Sequence, residues 1–177
     1  MRRKLDGSDP RWVEVEVVLG GTMARWALVL MVSVLSLGQH TPDIVVEFHY
    51  GVDGRNVLDT RAGTYTKDMV YGDSLVADFK LTPRELNDIL SKAESIGFFD
   101  LPKLIVTTDM GCIGYPHSEY TLEISDGARS HRVEWSSKYC AKDDTRERAE
   151  ELAIFIMRVI HKKPEYRNLP RARGAYL

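Results

Sequence analysis

Residues 120–135 read YTLEISDGARSHRVEW, and this stretch decides the fold. Apolar and polar side chains alternate on both sides of Asp126-Gly127, with the period of two that is typical of a strand with one buried face. Asp-Gly is a favoured hairpin turn. The stretch therefore predicts an antiparallel hairpin whose buried face carries Tyr120, Leu122, Ile124, Val133 and Trp135.

Further strands are predicted upstream of this hairpin. Residues 43–50 and residues 75–81 show the same alternation of apolar and polar side chains. Between them, residues 56–60 and residues 64–70 are rich in β-branched and aromatic side chains, which favour an extended backbone, and Gly63 separates the two segments. We therefore expect two longer strands with a pair of shorter ones between them.

Two amphipathic helices are predicted, one on each side of the hairpin. Thr82-Pro83-Arg84-Glu85 combines a capping hydroxyl, a proline at the first helical position and a glutamate three residues after the cap, and Gly97 ends the segment. Asp143-Asp144 places negative charge at the start of the second helix, and Pro164 stops it. Each segment carries one apolar stripe, so we expect each helix to bury one side.

Strand pairs interrupted by two helices predict an α+β fold, with an antiparallel sheet of four to six strands and two amphipathic helices packed on one face. A length of 177 residues, with 44% hydrophobic and 28% charged residues, is ordinary for one globular domain. We place this domain at residues 39–164 and expect residues 165–177 to form an extended polar tail. The formal net charge of −2 gives no broad positive field, so no nucleic-acid partner is expected.

The N-terminal region has the anatomy of a signal peptide. Residues 26–37 read WALVLMVSVLSL, an apolar run that follows Arg25. Ser36 and Gly38 place small side chains at the two positions that a signal peptidase recognises. We therefore predict that residues 1–38 are a leader and that cleavage follows Gly38.

Acidic residues precede Met23, where a compact basic region is expected, so Met23 is a candidate for the natural start. An apolar run of this length also permits a buried core helix. It is shorter than the roughly twenty residues of a membrane-spanning helix, so we expect no stable membrane span after cleavage. The prediction is an exported protein, periplasmic or secreted.

The two cysteines flank the hairpin. Depending on whether its turn is centred on Asp126-Gly127 or Gly127-Ala128, Cys140 is expected opposite residue 113 or residue 115, which places it near Cys112. Export would provide the oxidising compartment in which a bond persists. We therefore predict a Cys112–Cys140 disulfide, and the alternative is a pair of buried free thiols.

No catalytic, metal or cofactor motif is present in the sequence. The five histidines show no spacing that places two on one helix face as metal ligands. A phosphate-binding glycine loop and a Gly-x-Ser-x-Gly elbow are both missing from the sequence. We assign no catalytic residue, no metal site and no cofactor.

One dense polar cluster is a candidate binding site. Its carboxylates, hydroxyls and lysine are suited to a polar ligand or a cation. The alternative is a solvated turn that is held by local bonds between side chains and backbone. The candidate residues are Asp59, Tyr65, Thr66, Lys67 and Asp68.

Three strings in this chain resemble a group of small, uncharacterised exported bacterial proteins. They are NVLDT at residues 56–60, GTYTKD at residues 63–68 and LPRARGAYL at residues 169–177. The likeness runs from about Val46 to the C-terminus. That group has no established activity, so the resemblance implies export and a single domain and nothing about chemistry.

Three functions follow from the sequence as expectations. The first is a non-catalytic binding or accessory module of the cell envelope, acting on an envelope protein or a polar ligand. The second is a hydrolase-type enzyme with a dispersed site, using Asp59, Lys67 and Asp68. The third is an inhibitor of a secreted enzyme, presenting a disulfide-closed loop at residues 110–117.

Overall fold

A computed structural model describes residues 43–107, 112–140 and 143–176 of the chain, all within one compact unit, Thr41–Leu177. The predicted leader, residues 1–38, lies outside the described residues. Among the helices of the described ranges, none combines the length and the apolar character that crossing a bilayer requires.

The fold is α+β, as predicted, but its sheet has seven strands rather than four to six. They run in the order β4-β3-β2-β1-β6-β7-β5. All neighbouring pairs are antiparallel except β5 and β7, which are parallel. The additional strand, β5, has two residues and is too short to show any alternation in the sequence. The strands are β1 Val45–Tyr50, β2 Asn56–Asp59, β3 Thr64–Lys67, β4 Leu75–Asp78, β5 Leu104–Ile105, β6 Glu119–Ser125 and β7 Ser130–Ser136.

Both predicted helices are present. Helix α1 spans Pro83–Ser95 and has the predicted capping box, in which Thr82 and Glu85 bond to each other's backbone N–H. Helix α2 spans Asp144–Lys162, and the Asp143 side chain caps its first turn. A third, short helix, α3, spans Pro164–Arg167. Pro164 stops α2 and begins α3, because the fixed φ angle of proline suits a first helical turn.

The hairpin of β6 and β7 adopts one of the two registers left open by its sequence. Tyr120 lies opposite Trp135 and Leu122 lies opposite Val133, so the turn is centred on Gly127-Ala128. Gly127 has a φ angle of 84°, which glycine adopts without the steric penalty of a side chain. The Asp126 carboxylate accepts hydrogen bonds from the backbone N–H groups of Ala128 and Arg129, and this closes the turn.

The core lies on one face of the sheet. Phe48, Leu122 and Val133 are neighbours across β1, β6 and β7 and are fully buried. Ile89 of α1 and Ile156 of α2 belong to the same hydrophobic cluster, so both helices pack on this face. The opposite face carries polar side chains that keep contact with solvent, among them Glu47, Glu123 and Arg132.

Candidate functional sites at the two margins of the sheet

Asp59 ends strand β2 and closes the turn to β3. Its Oδ1 atom accepts hydrogen bonds of 2.9 Å from the backbone N–H groups of Arg61 and Ala62. Carboxylates at such positions commonly hold a turn in this way. The structure therefore places the Asp59 carboxylate on its own backbone.

Tyr65 and Thr66 point to opposite faces of β3. Tyr65 is fully buried, and its hydroxyl lies 2.6 Å from the hydroxyl of Tyr50. Burial, followed by the neighbouring Tyr50, raises the pKa of Tyr65, and burial also raises the pKa of Tyr50 to about 12. Thr66 lies opposite Val57 on the polar face, away from the tyrosine pair.

Lys67 reaches the C-terminal segment of the chain. Its Nζ atom donates a hydrogen bond of 2.7 Å to the carbonyl oxygen of Pro170. The same ammonium group lies 4.9 Å from the centre of the Tyr166 ring, within the range of a cation–π contact. Lys67 therefore binds the segment that follows α3.

Asp68 is buried and holds the end of the same segment. Its Oδ2 atom accepts a short hydrogen bond from the Tyr176 hydroxyl. Its Oδ1 atom accepts a bond of 2.9 Å from the Val70 N–H and lies 3.7 Å from the Arg55 guanidinium. Arg55 also donates to the Tyr176 oxygen at 3.1 Å. Burial and the bond to Asp68 together raise the pKa of Tyr176.

Between these two anchors the C-terminal segment runs along residues 69–71. The Arg173 N–H donates to the Met69 carbonyl at 3.3 Å, and Arg173 forms a parallel bridge with Val70. Gly174 lies against the Tyr71 ring so closely that any side chain at position 174 would overlap it. We call Arg55, Lys67, Asp68 and Tyr71, with residues 170–176 bound to them, the tail site.

The predicted polar cluster is therefore divided. Lys67 and Asp68 meet in the tail site, and Tyr65 lies beside it in the core. Asp59 and Thr66 lie on the other face of the sheet. The strings at residues 63–68 and 169–177 contact each other, and no local pattern in the sequence indicated this pairing.

At the other margin of the sheet, the predicted disulfide between Cys112 and Cys140 is present, with 5.4 Å between the two Cα atoms. The predicted pairing position was wrong. Cys140 lies opposite Cys112 itself, because Ile113 pairs with Tyr139 and the Cys140 N–H donates to the Cys112 carbonyl.

The error has a local cause. Ser137 bonds to Ser118, whereas Lys138, the next residue, bonds to Gly114. Residues 115–117 therefore bulge out of the ladder and shift its register by three residues. Neither hairpin register considered from the sequence included such an insertion.

No protein-family model matches this chain, and no curated protein matches it either. The two margins are therefore interpreted from their own chemistry.

Apolar side chains are exposed beside the disulfide. The exposed fractions are 60% for Leu104, 62% for Val106, 57% for Ile113 and 76% for Tyr115. Strand β5 is the last strand of the sheet, so its outer backbone edge has no strand partner within the described ranges. We call residues 104–107, 112–115 and 136–140 the disulfide margin.

A cavity of about 380 Å³ opens within this margin. Val106, Trp135 and Tyr139 are among the residues that line it. The Trp135 side chain is buried, and its Nε1–H group has no hydrogen-bond acceptor among the residues that the structure describes. A buried donor without an acceptor carries a desolvation cost of about 1–3 kcal/mol.

A second cavity, of about 310 Å³, lies between the disulfide and α2. Cys140, Tyr139 and the Arg146–Glu150 ion pair contribute to its wall. Arg146 is buried, bonds to Glu150 at 2.8 Å and donates to the Tyr139 carbonyl at 2.5 Å. These contacts hold Tyr139, the residue before Cys140, against helix α2.

The two margins offer different chemistry. The tail site presents a carboxylate, two cations and an aromatic ring to an extended peptide segment. The disulfide margin presents exposed apolar groups and a strand edge that pairs with no other strand of the described ranges. In the described ranges, no three His, Cys, Asp or Glu side chains are placed to hold a metal ion. Sequence reasoning singled out the disulfide and the loop beside it but missed the exposed edge strand, because Leu104 and Val106 carry no motif.

Proposed function

We propose that this chain is a non-catalytic binding module of the cell envelope and that the disulfide margin is its binding surface. The observation that carries the proposal is the set of exposed apolar side chains beside the disulfide and at the cavity that Leu104 and Val106 line. Ile113 pairs with Tyr139, which lines that cavity together with Val106, so the exposed groups are continuous. Exposed apolar groups that cluster in this way are typical of interaction sites.

The partner that fits this surface is an extended protein segment. A segment that adds to the free edge of β5 gains backbone hydrogen bonds from the strand and places alternate side chains over Leu104 and Val106. The polar rim supplied by Glu119 and Glu134 favours a segment without acidic side chains.

The hydrolase hypothesis has less support at its candidate residues. Asp59 holds a turn, Lys67 binds the Pro170 carbonyl and Asp68 binds Tyr176 and Val70. Each of these groups is engaged by the chain itself. A hydrolase would need a nucleophile or a general base within reach of a substrate, and these contacts favour the binding module.

The compartment is part of the same proposal. A disulfide persists in an oxidising environment and is rare in the cytosol. The Cys112–Cys140 bond is therefore compatible with export. Export itself is inferred from the apolar run at residues 26–37 and the small residues that follow it.

One observation favours inhibition of a secreted enzyme as a second candidate. Tyr115 is 76% exposed and stands at the start of a bulge beside the disulfide. A rigid loop that presents an aromatic side chain loses little entropy on binding. If the partner is a hydrolytic enzyme, the Tyr115→Ala variant will lose inhibition; if the partner is a scaffold protein, no activity will change.

The test compares two matched valines. Val106 at the disulfide margin and Val76 on β4 are both 62% exposed. Val106→Lys places a charge on the proposed surface, whereas Val76→Lys places the same charge at the opposite margin. Photo-crosslinking in the native envelope, followed by mass spectrometry, should show a partner that the wild type and Val76→Lys retain and Val106→Lys loses. Identical crosslinks for both variants would rule out this surface.

A further inference from the structure

The C-terminal segment is bound as an extended peptide would be bound. Residues 170–175 are exposed, and Tyr176 is partly buried. Three points hold the segment to the rest of the chain. Lys67 binds the Pro170 carbonyl, Met69 accepts from the Arg173 N–H, and the Tyr176 hydroxyl reaches Asp68.

Each contact recognises a feature of the peptide and none depends on its covalent attachment. Two of them are hydrogen bonds to the peptide backbone. Lys67 bonds to a carbonyl oxygen, and the Met69 carbonyl bonds to an N–H group. Gly174 lies against the Tyr71 ring and has a φ angle of 91°, a left-handed conformation that favours glycine at position 174. The Arg55–Asp68 pair selects a hydroxyl, since Asp68 accepts from it and Arg55 donates to it. Together they define the pattern Gly-x-Tyr, preceded by a backbone carbonyl four residues before the glycine.

Three points of contact hold this segment to the fold and give it little stability of its own. The segment buries little apolar surface, and its exposed backbone lacks the cooperative support of the core. Such segments open at a small fraction of the global unfolding free energy. The segment begins directly after Leu169, which packs against the core, so opening leaves the rest of the fold in place.

We propose that the tail site is a peptide-binding site that accepts the C-terminal segment of a second copy of this chain, so that copies are joined by exchange of their tails. The pattern that the site recognises occurs in this chain at residues 170–176. Exchange recreates the same contacts between molecules at little cost beyond association. This inference is independent of the function proposed for the disulfide margin.

Two full-length variants test the proposal by complementation. Tyr176→Ala keeps an intact groove and removes the hydroxyl of its own tail. Asp68→Asn keeps an intact tail and removes the carboxylate of its own groove. When they are mixed, the tail of Asp68→Asn should enter the groove of Tyr176→Ala. Sedimentation should show a species of twice the monomer mass in the mixture and monomers in each separate sample.

Matched controls isolate the groove. Asp59→Asn removes a carboxylate outside the tail site, so its tail stays bound in its own groove and its mixture with Tyr176→Ala should remain monomeric. Lys67→Ala is a second groove variant at an exposed position, so a folding defect of Asp68→Asn does not end the test. Its mixture with Tyr176→Ala should also form the heavier species.

A synthetic peptide with the sequence of residues 169–177 measures the site directly. The peptide should bind Tyr176→Ala about tenfold more tightly than it binds the wild type, whose attached tail competes at an effective concentration on the order of millimolar. Phenylalanine in place of the peptide's tyrosine should weaken binding about tenfold. Equal binding of both peptides would overturn the site. Peptide binding without any mixed dimer would overturn exchange between copies.

Discussion

The two margins of the sheet differ in what completes them. At the tail site, the buried carboxylate of Asp68 is bound by the chain's own Tyr176. At the disulfide margin, Leu104 and Val106 stay exposed, and the Trp135 donor has no partner in the described part of the chain. A polar cluster that looks functional in the sequence is thus bound by the chain itself, whereas an apolar stretch without a motif stays exposed within the described ranges. Exposed apolar side chains are therefore a better guide to a binding surface in this protein than polar groups that the chain itself already binds.

The largest expected effect comes from opening the disulfide margin. Replacing Cys112 and Cys140 by serine removes a crosslink between residues 28 apart in sequence. The free energy of unfolding should fall by about 3 kcal/mol, measured by urea denaturation of the wild type and the double variant. If the disulfide contributes nothing to the free energy of unfolding, the urea midpoints of the two proteins will coincide.

Alkaline pH should weaken the fold through the tyrosine pair beside the tail site. Burial raises the pKa of Tyr50 to about 12, above its ordinary value of 10.0. The contribution of Tyr50 to the free energy of unfolding is therefore complete below pH 10 and is lost as the pH rises through 12. The reason is that the unfolded chain releases the tyrosine proton at a lower pH than the folded chain does. The loss should approach 2 to 3 kcal/mol, at about 1.4 kcal/mol per pKa unit.

Thermal unfolding between pH 8 and pH 12 measures this effect. Tyr50→Phe is the matched variant, since it keeps the ring and removes the titrating hydroxyl. The wild type should lose more stability than Tyr50→Phe above pH 10. Parallel curves for the two proteins would show that Tyr50 makes no difference.

A smaller and local effect is expected from Tyr176→Phe. The variant leaves the buried Asp68 without its hydroxyl donor, which costs about 1–2 kcal/mol. The tail should open while the core stays folded, so trypsin should cleave after Arg171 and Arg173 several times faster than in the wild type. Mass spectrometry of the time course measures the rate. Tyr115→Phe, at the other margin, serves as the control and should cleave at the wild-type rate.

The smallest effect on stability is expected from the matched valine variants. Exposed substitutions usually change the unfolding free energy by less than about 0.5 kcal/mol, so Val106→Lys and Val76→Lys should both unfold as the wild type does. Their surfaces should still differ. Val106→Lys should lower the binding of a hydrophobic fluorescent dye, whereas Val76→Lys should not, because Val106 lines the cavity of the disulfide margin and Val76 does not. Equal dye binding by the two variants would mean that the two margins do not differ in their affinity for apolar molecules.

Local signals in the sequence predicted the local parts of this fold. Three such signals are the Thr82–Glu85 capping box, the Asp143 cap and the alternation around Gly127. Each depends on contacts between residues that are close in sequence, so the sequence alone predicts it. The register at Cys140 could not be read, because a bulge at residues 115–117 breaks the ladder without a pattern of its own.

The candidate site was predicted less well, and the reason is distance along the chain. Lys67 and Asp68 were singled out for their density of polar groups, but their partners are Pro170 and Tyr176, more than 100 residues away. Such pairings depend on how α2 and α3 return the chain to β3. Their chemistry is evident only once the fold has brought them together.

The Cys112–Cys140 bond also makes a covalent ring that contains the whole β6–β7 hairpin. A protease that cuts at the exposed Gly127-Ala128 turn would open this ring without releasing a fragment, since both halves remain joined at its base. A nicked molecule would run as one band on a non-reducing gel and as two after reduction. In a compartment rich in proteases, the ring would let the molecule survive a single cut.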